Sequence, residues 1–319
     1  MMVALKLFLA YIIDRVVGDP RWLPHPVVLM GKVISFLEKG IRSVCKKESS
    51  LKVAGILFPL LLVGGSFALV WGLLKGLSLI HPLLAFGVEI WLISTTIAVK
   101  GLESAGKEIY GLLKKGNLQE ARKALAMVVG RDTETLDEKE VSRGAVETVA
   151  ENIVDAIISP LFYAAIGGAP LAMAYRAANT LDSMVGYKNE KYLQLGWASA
   201  RFDDIANFIP ARLTAILLVG VSWVLKLNGK GAIQGILRDA RKHPSPNSGF
   251  TEAGVAGALG IQLGGLNFYQ GIPSQRATMG IPTRPLRSAD ILTTNKIMNG
   301  VTLGFLLIVA MFEYVWSIL

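Results

Sequence analysis

Between Lys52 and Lys75 the chain carries no charged side chain, and this run, Val53 to Leu74, constrains the fold more than any other stretch. At a rise of about 1.5 Å per residue it makes a helix of about 33 Å, enough to cross the hydrocarbon of a bilayer. A helix apolar on every side must be covered by protein or by lipid. Further apolar runs lie at Met2 to Ile13 (short, with Lys6), Leu83 to Val99 (broken by Glu89), Ala156 to Tyr175, Leu213 to Leu225 and Ile297 to Leu319 (with Glu313 near its end). With 52% hydrophobic and only 18% charged residues, the chain reads as an all-α polytopic integral membrane protein. We expect one integral-membrane domain over residues 1–319, with five to seven apolar helices or re-entrant segments and amphipathic cytoplasmic helices between them.

The formal charge of +9 arises from Lys and Arg crowded between the apolar runs. That distribution is first a topology signal and an attraction to the anionic lipid bilayer, and only then an invitation to anionic substrates. No basic run carries the interleaved aromatics of a single-strand binder, so no nucleic-acid partner is expected. Cys45 is the sole cysteine, which excludes an internal disulfide and a thiolate metal cluster. The first residues lack a basic start and a small-residue cleavage site, and read as a retained helix.

Along the chain, the segment Gly18 to Gly31 is stiffened by Pro20, Pro24 and Pro26, with Asp19 as an ionisable tip, and an amphipathic helix follows from Met30 to Lys47. The runs either side of His81-Pro82 form a helical hairpin, with Glu89 paired to His81 or to a neighbouring helix. Residues 100–145 read as a helical cytoplasmic insertion: Asn117 and Glu120 form a capping box for a helix Leu118 to Val129, and Thr135 with Glu138 caps the helix after it. Lys100, Lys107, Lys114, Lys115, Arg122 and Lys123 place it in the cytoplasm. Gly167-Gly168, with Pro170, is the expected tip of a re-entrant hairpin, and residues 226–296 read as a basic loop plus a glycine-rich segment.

The chemistry concentrates on Ser142 to Ser159. At 100° per residue Gly144, Glu147, Thr148, Glu151, Asn152, Asp155 and Ser159 share roughly a 140° arc of one helix, leaving an acidic stripe that ends where an apolar run begins. Carboxylates there are costly unless they meet a cation, a partner or water. Arg176, Asn179, Thr180, Ser183 and Tyr187 form a cationic, hydroxyl-rich face with Asp182 beside it, of the kind that binds phosphate or carboxylate oxygens. Arg201, Asp203, Asp204, Asn207 and Arg212 cluster before the apolar run Leu213 to Leu225, and His243, Ser245 and Asn247 sit in a proline-stiffened loop. Glycines 254, 257, 260, 264 and 265 permit close approach of a helix or a bulky ligand, and neither a Walker A nor a dinucleotide motif is present.

Taken in order, DRVVGDPRWLPHPVVLMG, SRGAVETVAENIVDAIISPLFY, YRAANTLDSMVGY, GWASARFDDIANFIPARLTA and HPSPNSGFTEAGVAGALGIQLGG resemble the CobD/CbiB family of cobalamin biosynthesis over nearly the whole chain. The resemblance implies a multi-pass enzyme of the cell membrane with a cytoplasmic active site. It would join the carboxyl of adenosylcobyric acid to the amine of aminopropanol phosphate, with ATP as cosubstrate and Mg²⁺ as cofactor. On that reading Glu147, Glu151 and Asp155 ligate the metal and Asn152 orients them. Arg176, Arg201 and Arg212 neutralise phosphate, with Asn179, Thr180, Asp182, Ser183, His243, Ser245 and Asn247 around the bound groups. Asp203 or Asp204 binds metal or accepts the amine proton, and the glycine-rich stretch accommodates the corrinoid. Two other readings stay open, a membrane sensor on the same scaffold and a small-solute transporter, the latter prompted by Glu89, Asp155 and the Gly/Pro-interrupted run. The sequence also leaves homo-oligomerisation open.

Overall fold

The structure, a computed structural model, describes residues 2–18, 25–187 and 189–318; Asp19, Pro20 and Pro24 of the proline-rich loop lie outside the described residues. In chain order the helices are α1 (Met2–Val16), α2 (Pro26–Val44), α3 (Glu48–Ala54), α4 (Gly64–Ile80), α5 (Pro82–Ser94), α6 (Val99–Lys114) and α7 (Leu118–Ala126). Then follow α8 (Glu138–Ile153), α9 (Ser159–Val185), α10 (Trp197–Ala206), α11 (Phe208–Val224), α12 (Gly229–Asp239) and α13 (Ser248–Leu259). Strands β1 (Leu263–Tyr269) and β2 (Ile272–Met279) precede the last helix, α14 (Ala289–Ile318). Among the described residues four helical runs are long and apolar enough to cross a membrane: Glu48–Ile80, Pro82–Lys114, Glu138–Val185 and Ala289–Ile318. Helices α10 and α11, bent by 43°, make a fifth if they form one span. Large apolar side chains on α4 and α14, such as Leu69, Leu79, Leu307 and Trp316, are exposed, as lipid-facing surfaces require. The protein is a multi-pass membrane protein.

The chain forms two compact units, each assembled from separated segments. The first comprises Met1–Ala98, Ser159–Asn207 and Val309–Leu319. Its helices α1, α2, α4, α5 and α10 pack on α9, around a core that includes Leu7, Ile34, Phe58, Ile93, Leu161 and Leu181. Helix α9 reverses direction: the rings of Tyr163 and Tyr175 stack at 5.3 Å, although twelve residues of straight helix would set them about 18 Å apart. The turn is at the expected Gly167-Gly168, where Gly168 has φ 65° and ψ −159°, a region open essentially to glycine alone. A Cβ there would also stand 2.4 Å from Glu89 Oε1. Glu89 pairs with Lys6 of α1 at 2.6 Å, while His81 caps α5 by accepting from Leu83 N. Gly168→Val should therefore cost roughly 1–3 kcal/mol, read as a lowered melting temperature of the detergent-solubilised protein; an unchanged melting temperature would show the reversal to be unstrained.

The second unit comprises Val99–Ile158 and Phe208–Ile308. Asn117 opens α7 by accepting from Glu120 N, as the capping box predicts, but the helix ends at Ala126, short of Val129. The cap of α8 is Asp137, which accepts from Glu140 N at 2.7 Å, and not Thr135. A charged side chain at the helix N-terminus complements the dipole better than a hydroxyl does. After Ile153 the α-helix passes into one π-helical turn, Val154–Ile158, so the 100° spacing that placed Asp155 and Ser159 on the stripe no longer holds. Residues 226–296 are folded and not a loop: α12, α13 and a β-hairpin occupy them. The glycines there serve helix packing; a Cβ on Gly257 would meet Gly231 O at 2.1 Å and one on Gly235 would meet Ala253 O at 2.4 Å. The hairpin turns at Gln270-Gly271, both with positive φ (52° and 78°), and is bulged between Leu263 and Gly265. Asp132 holds this turn by accepting from Gln270 N and Gly271 N at 3.0 and 2.7 Å.

Candidate functional site

Helix α8 carries Arg143, Glu147 and Glu151 at four-residue intervals, hence on one face. Glu147 is buried, and three donors reach its carboxylate: Arg131 Nη2 at 2.8 Å on one oxygen, Arg143 Nη1 at 3.0 Å and Gly264 N at 2.7 Å on the other. Arg143 further donates to Gly264 O, Leu266 O and Asn267 Oδ1 of β1, and pairs with Glu140. Arg131 also donates to Asn267 Oδ1. The guanidinium of Arg131 can lie across α8 because residue 144 is glycine; a Cβ there would stand 2.4 Å from its Nη2.

One turn further along, Glu151 lines a cavity of about 180 Å³ together with Arg131, Glu147, Thr148, Asn152 and Arg276. Glu151 Oε1 accepts from Ser248 Oγ at 3.2 Å. Asn152 donates through Nδ2 to Thr148 O at 2.8 Å, which fixes its amide. Arg131 Nε is buried without a hydrogen-bond partner among the described residues, a donor left over for an oxygen entering the cavity. Behind Ser248 lies a buried pair, His243 Nε2 at 3.3 Å from Glu252 Oε1. Burial, reinforced by the charges of Glu151 and Glu147, pushes the Glu252 carboxyl well above the ordinary range, and burial pushes the His243 imidazole down. Burial also works against the charge of Arg276, but Tyr269 and the carboxylates Glu252, Glu151 and Glu147 together hold that guanidinium above its ordinary value.

The loop 243–248 is held by Arg212, whose guanidinium sits 3.7 Å from the Phe208 ring centroid and 4.4 Å from that of Phe250. Arg212 donates to Asn247 Oδ1 at 2.7 Å and to Pro246 O at 3.2 Å. Ser245 Oγ accepts from the backbone of Asn247 and Ser248, and Ser245 N donates to His243 Nδ1. These expected ligand-binding residues thus shape the loop that brings Ser248 to Glu151. Glu147, Glu151 and Asp155 do not form a three-carboxylate metal cage: among the described residues no group of three or more His, Cys, Asp or Glu has the geometry to hold a metal ion, and the oxygens of Glu147 are already engaged. Glu151 and the Asn152 amide oxygen, beside Arg131 and Arg276, do fit a Mg²⁺ carried on phosphate, which asks for only one or two protein carboxylates.

The other expected site residues belong to the first unit. Asp203 is buried, accepts from Asn207 Nδ2 at 2.9 Å, and lies close to Asn179, Asp182 and Asp204. Asn207 Oδ1 in turn accepts from Ser159 Oγ and Tyr175 OH, at 2.6 and 2.9 Å, tying both arms of the α9 hairpin to α10. Arg176 contacts Asn179 at 3.4 Å. Thr180 and Ser183 do not offer their hydroxyls to a ligand as the face predicted; each donates to a carbonyl of its own helix. Arg201 is exposed and 3.8 Å from Asp204.

Arg131, Arg143, Ser248, Glu252, Asn267 and Arg276 were not anticipated. Arg131 and Arg143 flank the stripe in sequence and are the cations its buried carboxylates demand, which is the one signal that could have found them.

A sequence model described as "CobD/Cbib protein" matches residues 7–298. The chain is 50% identical to the cobalamin biosynthesis protein CobD of Geobacter metallireducens, over 97% of this chain and 96% of that one. It is 49% identical to CobD of Halalkalibacterium halodurans, over 93% and 92%, and 44% identical to the cobalamin biosynthesis protein CbiB of Salmonella typhimurium, over 91% of each. No solved structure matches. With a match of that extent along both the family model and its individual relatives, the chain belongs to the CobD/CbiB family of cobalamin biosynthesis proteins.

Proposed function

We propose that, within cobalamin biosynthesis, this protein is an ATP-dependent ligase that forms the amide between adenosylcobyric acid and aminopropanol phosphate. The observation that carries the reading is the cavity of the second unit, where a carboxylate, an amide and two guanidiniums, one with an unused buried donor, converge beside a buried ion-pair network. A carboxylate does not condense with an amine in water until its oxygen is made a leaving group. In the proposed sequence the propionate oxygen attacks the terminal phosphorus of ATP and ADP departs. The amine nitrogen then displaces inorganic phosphate from the acyl carbon, and the departing phosphate takes the proton.

Arg131 and Arg276 offset the phosphate charge, and the low dielectric around them strengthens that contribution. Glu151, with the Asn152 amide oxygen, would hold Mg²⁺ on the phosphate; bound there, the ion draws charge from the transferred phosphoryl group. Ser248 and the loop fixed by Arg212 orient Glu151. The basic residues of α6 and α7 support a cytoplasmic setting for this unit, where ATP is available.

A host lacking its own copy of this function should make cobalamin from cobyric acid only when this protein is supplied. From cobinamide it should do so with or without it. A requirement on both precursors, or on neither, would remove the ligase reading in favour of uptake or regulation.

A further inference from the structure

A cavity of about 380 Å³ in the first unit has no part in the steps above. It lies between α1, α4, α5 and the Gly167-Gly168 reversal of α9, and Lys6, Lys75 and Glu89 put charge on its wall. Lys75 and Glu89 belong to the spanning runs Glu48–Ile80 and Pro82–Lys114. Lys75 comes about 8 Å before the end of α4, and Glu89 about 10 Å after the start of α5. At the turn between these helices Leu79, Ile80 and Leu83 are each at least 72% exposed, apolar surface that belongs in lipid, so the charges lie deeper than the turn. An ionised side chain at that depth needs a counter-charge.

Glu89 has one, with Lys6 Nζ 2.6 Å from its Oε2. Lys75 lines the same space and has no ion-pair partner among the described residues. Because Lys6 and Glu89 offset each other, the cavity carries one uncompensated positive charge and is matched by a monoanion. The flank of α4 below Lys75 narrows the choice. Gly64, Ala68, Trp71 and Lys75 recur at i, i+4, i+7 and i+11, hence along one face, and all four are exposed. A Cβ on Gly64 would meet nothing within 4 Å, so this face is a shallow apolar track with the Trp71 ring beside it. From Lys75 to Gly64 the track runs about 16 Å, close to the half-thickness of about 15 Å of a bilayer's hydrocarbon. A cation heading an apolar track one leaflet long fits an amphiphile with one negative charge.

We propose that this cavity binds one anionic phospholipid, its phosphodiester on Lys75 beside the Lys6–Glu89 pair and one acyl chain along Trp71, Ala68 and Gly64 of α4. A phosphodiester supplies the single negative charge that the cavity lacks, whereas a zwitterionic lipid brings an ammonium that Lys75 repels.

The test uses the full-length protein purified in a non-ionic detergent, with dioleoyl phosphatidylglycerol or dioleoyl phosphatidylcholine titrated in and bound lipid counted by native mass spectrometry. The wild type should retain one phosphatidylglycerol saturably, at least about fivefold more tightly than phosphatidylcholine, the scale of one lysine's attraction to an anionic headgroup. Lys75→Ala should abolish that preference and Lys75→Arg should keep it. Ala68→Phe leaves the charges in place and blocks the track; it should weaken retention of the dioleoyl lipid and not of dihexanoyl phosphatidylglycerol. Both positions are exposed, so without added lipid these variants should melt as the wild type does. The control is Lys114→Ala, an exposed lysine of the second unit, which should change nothing.

Equal retention of the two lipids by the wild type, or wild-type preference in Lys75→Ala, would overturn the site. An equal loss in Lys114→Ala would reduce the effect to overall charge and overturn it as well. Displacement of the lipid by inorganic phosphate or glycerol 3-phosphate would show a site for soluble anions and overturn the lipid assignment. Undiminished retention of the dioleoyl lipid by Ala68→Phe would overturn the course of the chain along α4.

Discussion

Replacing Glu147 with alanine is expected to destabilise the protein by about 3–5 kcal/mol, the cost of breaking a buried ion pair from one side. Its carboxylate is the shared counter-charge of Arg131 and Arg143, whose side chains are each only 6% exposed. Once it is removed, two guanidiniums remain in a poorly solvated interior, and Gly264 N loses its acceptor as well, a further penalty of about 1–3 kcal/mol before relaxation. Asn267 and Glu140 still accept from the arginines, which is why the effect stops short of outright unfolding. Glu147→Gln keeps an acceptor but loses the charge, and should fall between alanine and wild type. Thermal unfolding in detergent followed by tryptophan fluorescence measures the order. The reference is Glu120→Ala, which breaks an exposed pair with Lys123 worth less than about 1 kcal/mol. Equal shifts for Glu147→Ala and Glu120→Ala would mean that the buried network adds nothing beyond a surface contact.

This network marks the limit of what the sequence discloses. The acidic stripe was legible because α-helical periodicity is local, and so was the reversal at Gly167-Gly168, since two adjacent glycines before a proline can hardly continue a helix under load. The partners of the stripe were not. Glu147 and Gly264 N are 117 positions apart, and Arg131 meets Asn267 across 136; nothing in either neighbourhood specifies the other. The β-hairpin was hidden by its turn, Gln270-Gly271, which adopts positive φ at both residues without the usual Asn or Asp in the first position. The π-turn after Ile153, which packs against α11, is equally silent, because no residue preference marks such a turn in the sequence. Residue type in the loop 243–248 suggested ligand contact, yet its polar atoms largely satisfy one another. Ser, Asn and His in a proline-rich turn look the same whether they bind a substrate or fold the turn.

Glu151→Gln is expected to lower amide formation by on the order of 10²–10³-fold, the scale seen when one pre-placed electrostatic group is removed, while the protein still inserts and folds. The contrast with Glu147 is the point of the experiment. Both carboxylates lie on the same face of α8, but Glu147 is saturated by three protein donors, whereas among the described residues Glu151 receives only the Ser248 hydroxyl on one oxygen, at 3.2 Å. Glutamine preserves the shape and that hydrogen bond, and removes the charge that a Mg²⁺-phosphate group requires. The loss should therefore fall on kcat at saturating substrates, with melting temperature near that of the wild type, and excess Mg²⁺ should recover part of it if the ion is held there. Wild-type turnover in Glu151→Gln would show that the carboxylate only shapes the Ser248 loop, and the chemistry would then have to be sought in the first unit, at the buried Asp203 beside Asn207.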